Sequence, residues 1–171
     1  MNLYLRLAWL LLHTRRRPRT LLWGTTVSSF RVLPSDLDAL GHMNNAKYLM
    51  FMDLGRLDQM FRTGLWKFST ARGWYSVVAT QTIRYRRSLK PWQKFELHTR
   101  VIGFDEKAMY IESRFLQRGE LAAHAVAQVR FLRKRGGDVA PEEVREVMPE
   151  APELVLPEWV DSWARAVRSA D

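Results

Sequence analysis

The sequence predicts an α+β fold in which one antiparallel sheet curls around a single central helix. Residues 44–62 contain no proline and are apolar around most of a helical circumference, so a helix formed there belongs inside the protein. Four segments that alternate apolar and polar residues follow, and their connectors are too short for parallel crossovers. The chain of 171 residues, 47% of them hydrophobic, has the size and composition for one core of this kind.

One predicted strand precedes the helix and four follow it. The first covers residues 27–34 and ends at a proline. The other four cover residues 75–87, 94–104, 108–118 and 120–134, separated by short turns that permit hairpins. A single sheet of long strands buries an apolar helix only by curling around it. This arrangement is the hotdog architecture.

Charge divides the chain into three parts, and we predict domain boundaries at the same places. Residues 1–22 form an apolar and basic amino-terminal segment, with five arginines and no acidic residue, that begins with a predicted apolar helix. Residues 23–137 carry 19 basic and nine acidic residues and form the hotdog domain. Residues 138–171 carry three basic and nine acidic residues and form an acidic tail with short helices around 141–147 and 157–168.

Composition excludes several chemistries. The absence of cysteine excludes disulfides, thiolate zinc sites and a cysteine nucleophile. The four histidines lack the spacing of metal ligands, and no G-x-S-x-G nucleophile elbow is present. The net charge of +9 favours nucleic acid on its own, but the sequence contains no recognised nucleic-acid module. We therefore predict no metal site and no nucleic-acid partner.

The amino-terminal segment MNLYLRLAWLLLH is followed by an arginine cluster that includes Arg15, Arg16 and Arg17. This order is the reverse of a secretory signal, and a helix of about 20 Å is too short to cross a bilayer. Two interpretations remain open: peripheral contact of residues 1–20 with an anionic membrane surface, or docking of an apolar helix on the body or on a second subunit. We expect a cytoplasmic protein, with membrane association left open.

Polar residues are concentrated in the 13 positions that lead into the central helix. They are Asp36, Asp38, Gly41, His42, Asn44, Asn45 and Tyr48. A helix start offers unpaired N–H groups and a positive dipole end, which stabilise an oxyanion or a polarised carbonyl. Taken singly, each residue also fits a turn former, a helix cap or a loop histidine. Asp53, further along, either faces the cleft or pairs with Arg56.

The segment DLDALGHMNNAKY resembles the active-site segment of hotdog-fold acyl thioesterases. The 4-hydroxybenzoyl-CoA thioesterase pattern, D-x-D-x-x-G with a tyrosine ten residues after the second aspartate, matches at Asp38 and Tyr48. The plant acyl-carrier-protein thioesterase pattern, D-x-N-x-H-x-N-N, matches at Asp38 and His42 and at both asparagines, but Leu40 replaces its first asparagine. Residues 23–135 as a whole resemble the thioesterase superfamily member six type.

The resemblance implies hydrolysis of an acyl-CoA thioester, with Asp38 as the nucleophile or as the base for water. It implies that His42 positions the thioester or Asp38, and that N–H groups near Asn45 and Ala46 hold the oxyanion. The implied catalytic residues are Asp38, His42 and Asn45, and the implied substrate-binding residues are Asn44, Ala46, Tyr48, Arg84, Arg86 and Arg87. Coenzyme A is part of the substrate, so no separate cofactor is expected.

The arginines of the run IRYRRSLK either bind the phosphates of coenzyme A or remain solvated. Strand alternation predicts Arg84 and Arg86 on one face, with Tyr85 and Arg87 on the other. The helix residues 49–52, LMFM, predict a fatty or otherwise apolar acyl group. The open sheet edge predicts a homodimer or homotetramer. The alternatives are a catalytically silent hotdog protein that binds acyl chains or lipid at a membrane surface and, more remotely, a hydratase.

Overall fold

The structure, a computed structural model, describes residues 3–14, 18–146, 152 and 154–169 of the chain. Its helices are α1 (Leu3–Thr14), α2 (Asn45–Thr63), α3 (Leu65–Ala71), α4 (Pro141–Glu146) and α5 (Glu158–Arg168). Its strands are β1 (Thr26–Arg31), β2 (Trp74–Tyr85), β3 (Lys94–Phe104), β4 (Met109–Gln117), β5 (Glu120–Arg133) and β6 (Asp138–Val139). The predicted order of one strand, one long helix and four long strands is confirmed.

The strands form one antiparallel sheet in the order β1-β3-β4-β5-β2, with β6 paired to the end of β5. β1 and β2 are therefore the two edges of the sheet. In β3, Phe95, Leu97 and Thr99 are buried on the face towards α2, and the residues between them are more exposed. This alternation is the pattern by which the sequence predicted the strand.

Helix α2 fills the curled sheet, as predicted. Asn44 caps its start with its side chain, and Gly64 ends it in the left-handed conformation at φ 80°. Phe51 lies fully buried against Phe95, with ring centroids 5.0 Å apart. Gly55 lies where the helix approaches β3 most closely, since a Cβ there would be 2.7 Å from Leu97 Cδ2. These contacts fix the depth of α2 in the sheet.

The buried surface of α2 also carries charge. Asp58 is fully buried and accepts hydrogen bonds of 2.7 Å from the hydroxyls of Thr14 and Ser28. Arg62, one turn further on, lies 3.7 Å from the same carboxylate. Because a buried carboxylate is tolerated only when it is paired or hydrogen-bonded, this cluster ties α1 and β1 to the central helix.

Helix α1 docks on the protein's own body. It buries Arg6, Leu10 and Thr14, which are spaced four residues apart along one face. The opposite face leaves Leu5 61% and Leu12 67% exposed. No helix among the described residues is long and apolar enough to cross a membrane. The predicted cluster Arg15–Arg17 lies outside the described residues.

Helix α3 lies between the central helix and β2, where the sequence predicted no helix or strand. Leu65 and Phe68, one turn apart, pack into an apolar cluster with Trp74 and Phe131, so tertiary burial stabilises a helix of only seven residues. In the acidic tail, both predicted helices are present. α5 buries Val160 and Ala164 in a cluster that contains Tyr110 and covers the sheet face opposite α2.

Candidate active site

The loop before α2 brings Asp38 and His42 together. The Asp38 N–H donates to the His42 carbonyl at 2.9 Å, and the Gly41 N–H donates to the Asp38 carbonyl at 3.1 Å. Gly41 adopts φ 75°, which favours glycine and lets the chain reverse within four residues. The Met43 N–H donates to the Leu89 carbonyl at 2.8 Å, so the loop is also fixed to the chain between β2 and β3.

The Asp38 carboxylate has two different contacts. Its Oδ1 accepts the Leu40 N–H at 2.9 Å, which closes a turn, and its Oδ2 lies 3.2 Å from His42 Nδ1. Asp38 is therefore both a turn former and the partner of the histidine. Leu40, which departs from the plant-type pattern, has its side chain in solvent and contributes only its backbone N–H.

Two N–H groups at the start of α2 are already occupied by Asn44. The Asn44 side chain accepts the Ala46 N–H at 2.8 Å, and the Asn44 carbonyl accepts the Lys47 N–H at 2.9 Å. In this geometry the helix cap occupies the Ala46 N–H, which the resemblance assigned to the oxyanion. The Asn45 N–H makes no hydrogen bond to the part of the chain that the structure describes.

A cavity of about 240 Å³ lies beside this helix start. It is lined by His42, Met43, Asn45, Tyr48, Tyr85, Arg86, Arg87 and Ser88. Asp38 is not among the lining residues and is reached through His42. The ring of Tyr48 packs edge-on to Tyr85 and to Phe115, with centroids 5.0 Å apart in both pairs. Burial raises the pKa of the Tyr48 phenol, so it is a neutral wall residue near pH 7.

The three predicted arginines line a second, open cavity of about 520 Å³, which shares Tyr85, Arg86 and Arg87 with the first. Their expected division between two strand faces is wrong, because β2 ends at Tyr85. Beyond it, the N–H groups of Arg86 and Arg87 both donate to the Ala122 carbonyl, at 2.8 and 3.0 Å. Arg87 is paired with Glu120, whereas Arg84 and Arg86 have no carboxylate partner among the described residues.

A third cavity, of about 460 Å³, lies between the second half of α2 and the sheet. Most of its lining is apolar: Leu22, Leu57, Met60, Leu65, Val77, Val78, Val101, Met109, Ile111, Val129 and Phe131. Asp53 and Arg56 also line it and form an ion pair, so Asp53 both faces a cavity and pairs with Arg56. Burial lowers the pKa of the Arg56 guanidinium, and the Asp53 charge opposes that shift.

The helix residues that suggested an apolar acyl site do not line this cavity. Phe51 and Met52 are fully buried in the core, and Leu49 and Met50 pack against it. Sequence reasoning also missed Tyr85 as a wall of the site, because strand alternation assigned it to the face away from Arg84 and Arg86. Its hydroxyl lies 3.5 Å from the Asn45 carbonyl as a hydrogen-bond donor.

The chain is similar in sequence to known proteins. The chain is 38% identical over 148 residues to Protein THEM6 of Xenopus laevis, covering 81% of this chain and 70% of that protein. It is 40% identical over 118 residues to Protein THEM6 of Danio rerio, covering 69% of this chain and 57% of that one. The chain thus spans only part of the length of these relatives.

Solved structures share the fold at low sequence identity. YbaW of Escherichia coli superimposes with a TM-score of 0.67 at 24% identity, covering 70% of this chain and 93% of that one. The DHNA-CoA thioesterase of Staphylococcus aureus superimposes with a TM-score of 0.62 at 14% identity, covering 84% and 91%. The family model described as the thioesterase-like superfamily matches residues 32–163, from the end of β1 into α5. The chain therefore belongs to the thioesterase-like superfamily.

Proposed function

We propose that the protein hydrolyses the thioester of an acyl-CoA at the helix start described above. One observation carries the proposal: His42 and Asn45 line one cavity at the helix start, and the Asp38 carboxylate lies 3.2 Å from Nδ1 of that histidine. Membership of the thioesterase-like superfamily supports the same reaction class.

In this proposal Asp38 acts as the base for water rather than as the nucleophile. The turn holds Oδ1 through the Leu40 N–H, and Oδ2 faces His42, so the carboxylate is not free to swing into the cavity. A water molecule beside His42 loses a proton to Asp38 and attacks the carbonyl carbon. The Asn45 N–H donates to the developing oxyanion, the C–S bond breaks, and the thiolate of coenzyme A takes the proton.

The arginine cavity is the proposed site for the phosphates of coenzyme A. Arg84 and Arg86 are exposed and lack a described carboxylate partner, so their charge is available to an anionic ligand. The cavity adjoins the thioester site through Tyr85. The cavity of about 460 Å³ is the proposed site for a fatty or otherwise apolar acyl group, because its lining is mostly aliphatic.

The acyl and thioester cavities lie towards opposite ends of β2, since Ser76–Val78 line one and Tyr85 lines the other. β2 is a sheet edge of 12 residues, with Tyr75 and Val78 exposed. An edge of this length and composition is stabilised by pairing. Antiparallel pairing of two β2 strands about their midpoint brings the acyl cavity of one copy next to the thioester cavity of the other. We therefore propose a homodimer with two composite sites.

The test is acyl-CoA hydrolysis by the full chain and by Asp38→Asn, across chain lengths. Asp38→Asn is expected to lower kcat/KM by about 100-fold or more, because the amide cannot accept the proton. Asp161→Asn is the matched control: it makes the same change on α5, where the carboxylate pairs with Arg165 at the surface, and should retain wild-type rates. Equal rates for Asp38→Asn and wild type would refute the role of Asp38.

A second candidate, lipid binding at a membrane surface, is favoured by the exposed face of α1. Leu5 and Leu12 are exposed, and a groove of about 620 Å³ lies between α1 and β1. The groove is lined by Arg6, Trp9, Ser29, Phe30, Arg31, Leu33 and Lys94, with no acidic residue among them. An apolar surface bordered by cations suits an anionic bilayer.

Flotation with phosphatidylserine-containing vesicles tests this candidate. Leu5→Gln/Leu12→Gln should reduce binding severalfold, and Leu21→Gln, a matched change at a position 74% exposed outside α1, should not. Binding that is unchanged by the double substitution, or equal on neutral vesicles, would contradict it.

A further inference from the structure

Arg6 extends from α1 into the loop that carries Asp38. Its guanidinium forms an ion pair with Asp36, and the two residues are 4% and 0% exposed. Nη1 also lies 3.4 Å from the Arg31 carbonyl, and the guanidinium carbon lies 4.6 Å from the ring centre of Phe51. The guanidinium is therefore fixed on several sides.

Asp36 in turn organises the loop. Its Oδ2 accepts the Leu33 N–H at 2.9 Å, and its backbone carbonyl accepts the Asn44 N–H at 2.9 Å. Asp36 thus connects the end of β1 to the residue that caps α2. Asp38 follows two residues later, between these two fixed points. The position of Asp36 therefore determines where Asp38 and the helix start lie.

Asp36 depends on Arg6 for its charge balance. Its Oδ1 is buried and makes no hydrogen bond, and the other nearby cation, Lys47, is 3.8 Å from that oxygen. Among the described residues, Arg6 supplies the hydrogen bond from a cation to this carboxylate. A buried carboxylate that loses its hydrogen-bonded cation is strongly destabilised. Without Arg6, we expect Asp36 to turn towards solvent and to draw the loop with it.

We propose that Arg6 is a positioning residue for the active site, acting through Asp36; this inference rests on the thioesterase function proposed above. α1 lies outside residues 32–163, which match the superfamily model, so the segment before the shared domain holds the catalytic loop in place. Arg6 touches no reacting atom in this role. Its effect is to hold Asp38 and His42 in a fixed position relative to the start of α2.

The kinetic test compares Arg6→Met, Arg6→Lys and Arg6→Met/Asp36→Asn with wild type. Arg6→Met should lower kcat by about 10- to 100-fold and change KM less than about twofold, since small misplacements of catalytic groups act on rate. Arg6→Lys should recover part of the rate. The double variant should also recover part of it, because it removes the unpaired buried charge.

Thr14→Val is the matched control. It removes another buried contact of α1, the hydrogen bond to Asp58, on the far side of Leu10 from the loop. It should lower the thermal midpoint and retain kcat. If Thr14→Val and Arg6→Met lower kcat equally at equal loss of stability, or if Arg6→Met retains wild-type kcat, Arg6 has no positioning role.

Hydrogen exchange separates this inference from the proposed function. Arg6→Met should accelerate amide exchange in residues 33–45 at least threefold, and Thr14→Val should leave it unchanged. Unchanged exchange in Arg6→Met overturns the positioning role. Accelerated exchange in a protein that cleaves no acyl-CoA overturns the proposed function and leaves the control of the loop by Arg6 standing.

Discussion

Gly55→Ala tests how closely α2 approaches the sheet, and with it the depth at which the helix start presents the site. A methyl group at residue 55 would lie 2.7 Å from Leu97 Cδ2 and 2.7 Å from Thr99 Oγ1. Both neighbours are fully buried, so neither can move into solvent. Separations this short require β3 or α2 to shift.

Two opposing effects determine how much Gly55→Ala changes the free energy of unfolding. Alanine in place of glycine inside a helix favours folding by about 1 kcal/mol. Overpacking a filled core costs about 1–3 kcal/mol. We expect Gly55→Ala to lower the free energy of unfolding by up to about 2 kcal/mol. The packing cost dominates because the new methyl group is too close to both Leu97 Cδ2 and Thr99 Oγ1.

A variant in which the two crowding atoms on β3 are removed serves as a relieved background, and it isolates the packing cost of the new methyl group. Leu97→Val/Thr99→Ala removes both atoms nearest the new methyl, at a cost of about 1–3 kcal/mol by itself. Adding Gly55→Ala to that background should raise the free energy of unfolding by about 0.5–1 kcal/mol, since the helix preference then acts almost alone. The sign of the Gly55→Ala effect therefore reverses between the two backgrounds.

Urea unfolding followed by circular dichroism provides the measurement. The dependence of the unfolding free energy on urea concentration should be the same in all variants compared. The coupling between residue 55 and the pair on β3 should be at least about 1 kcal/mol. If Gly55→Ala stabilises the wild type as much as it stabilises the relieved background, the close approach of α2 to β3 does not exist in solution.

Three further predictions concern pH, the tail and the helix cap. Burial favours the neutral form of Glu112, but hydrogen bonds from His124 and Arg100 outweigh it and lower its pKa to about 2. This stabilisation is present above the unfolded pKa near 4.5 and is lost as pH falls towards 2. Glu112→Gln should therefore reduce the loss of unfolding free energy below pH 5, by about 3 kcal/mol at most. A loss as large as that of the wild type would contradict this prediction. In Gly103→Ala the new Cβ would lie 2.6 Å from Leu156 Cδ2, so the variant should release α5 and increase tryptic cleavage within that helix. Cleavage at the wild-type rate would show that the position of the tail does not depend on this contact. Asn44→Ala should cost about 1 kcal/mol in thermal unfolding through loss of the cap on the Ala46 N–H, and no loss would indicate that water replaces the cap.

The course of the main chain was predictable because its signals are local. Alternation in residues 94–104 reports directly on two differently solvated sheet faces, and β3 has those bounds. The predicted β2 runs too far, to residue 87, because Arg86 and Arg87 continue the composition of a strand while their N–H groups both donate to Ala122. α3 was missed because its stabilisation comes from the distant Trp74 and Phe131.

The sequence predicted which residues lie near the helix start, but not which of their atoms are already hydrogen-bonded. The spacing of Asp38 and His42 predicted that they belong together, and they lie 3.2 Å apart. Spacing cannot tell that the cap occupies the Ala46 N–H and leaves that of Asn45 open. Nor can it reveal that Arg6, 30 residues before Asp36, supports the loop, because long-range pairing of a buried charge leaves no periodic pattern in the sequence.

The acidic tail bears on how many copies assemble. Helix α2 covers the inner face of the sheet, and α5 covers part of the outer face, where Val160 packs in a cluster with Tyr110. The β1 edge is partly closed as well, since the Arg6 guanidinium of α1 approaches the Arg31 carbonyl. Among the described residues, no strand pairs with the outer edge of β2, and the proposed isologous contact would use that edge on both copies. Of the two expected assemblies, this arrangement favours the dimer over the tetramer, because stacking two sheets by their outer faces would first require α5 to leave.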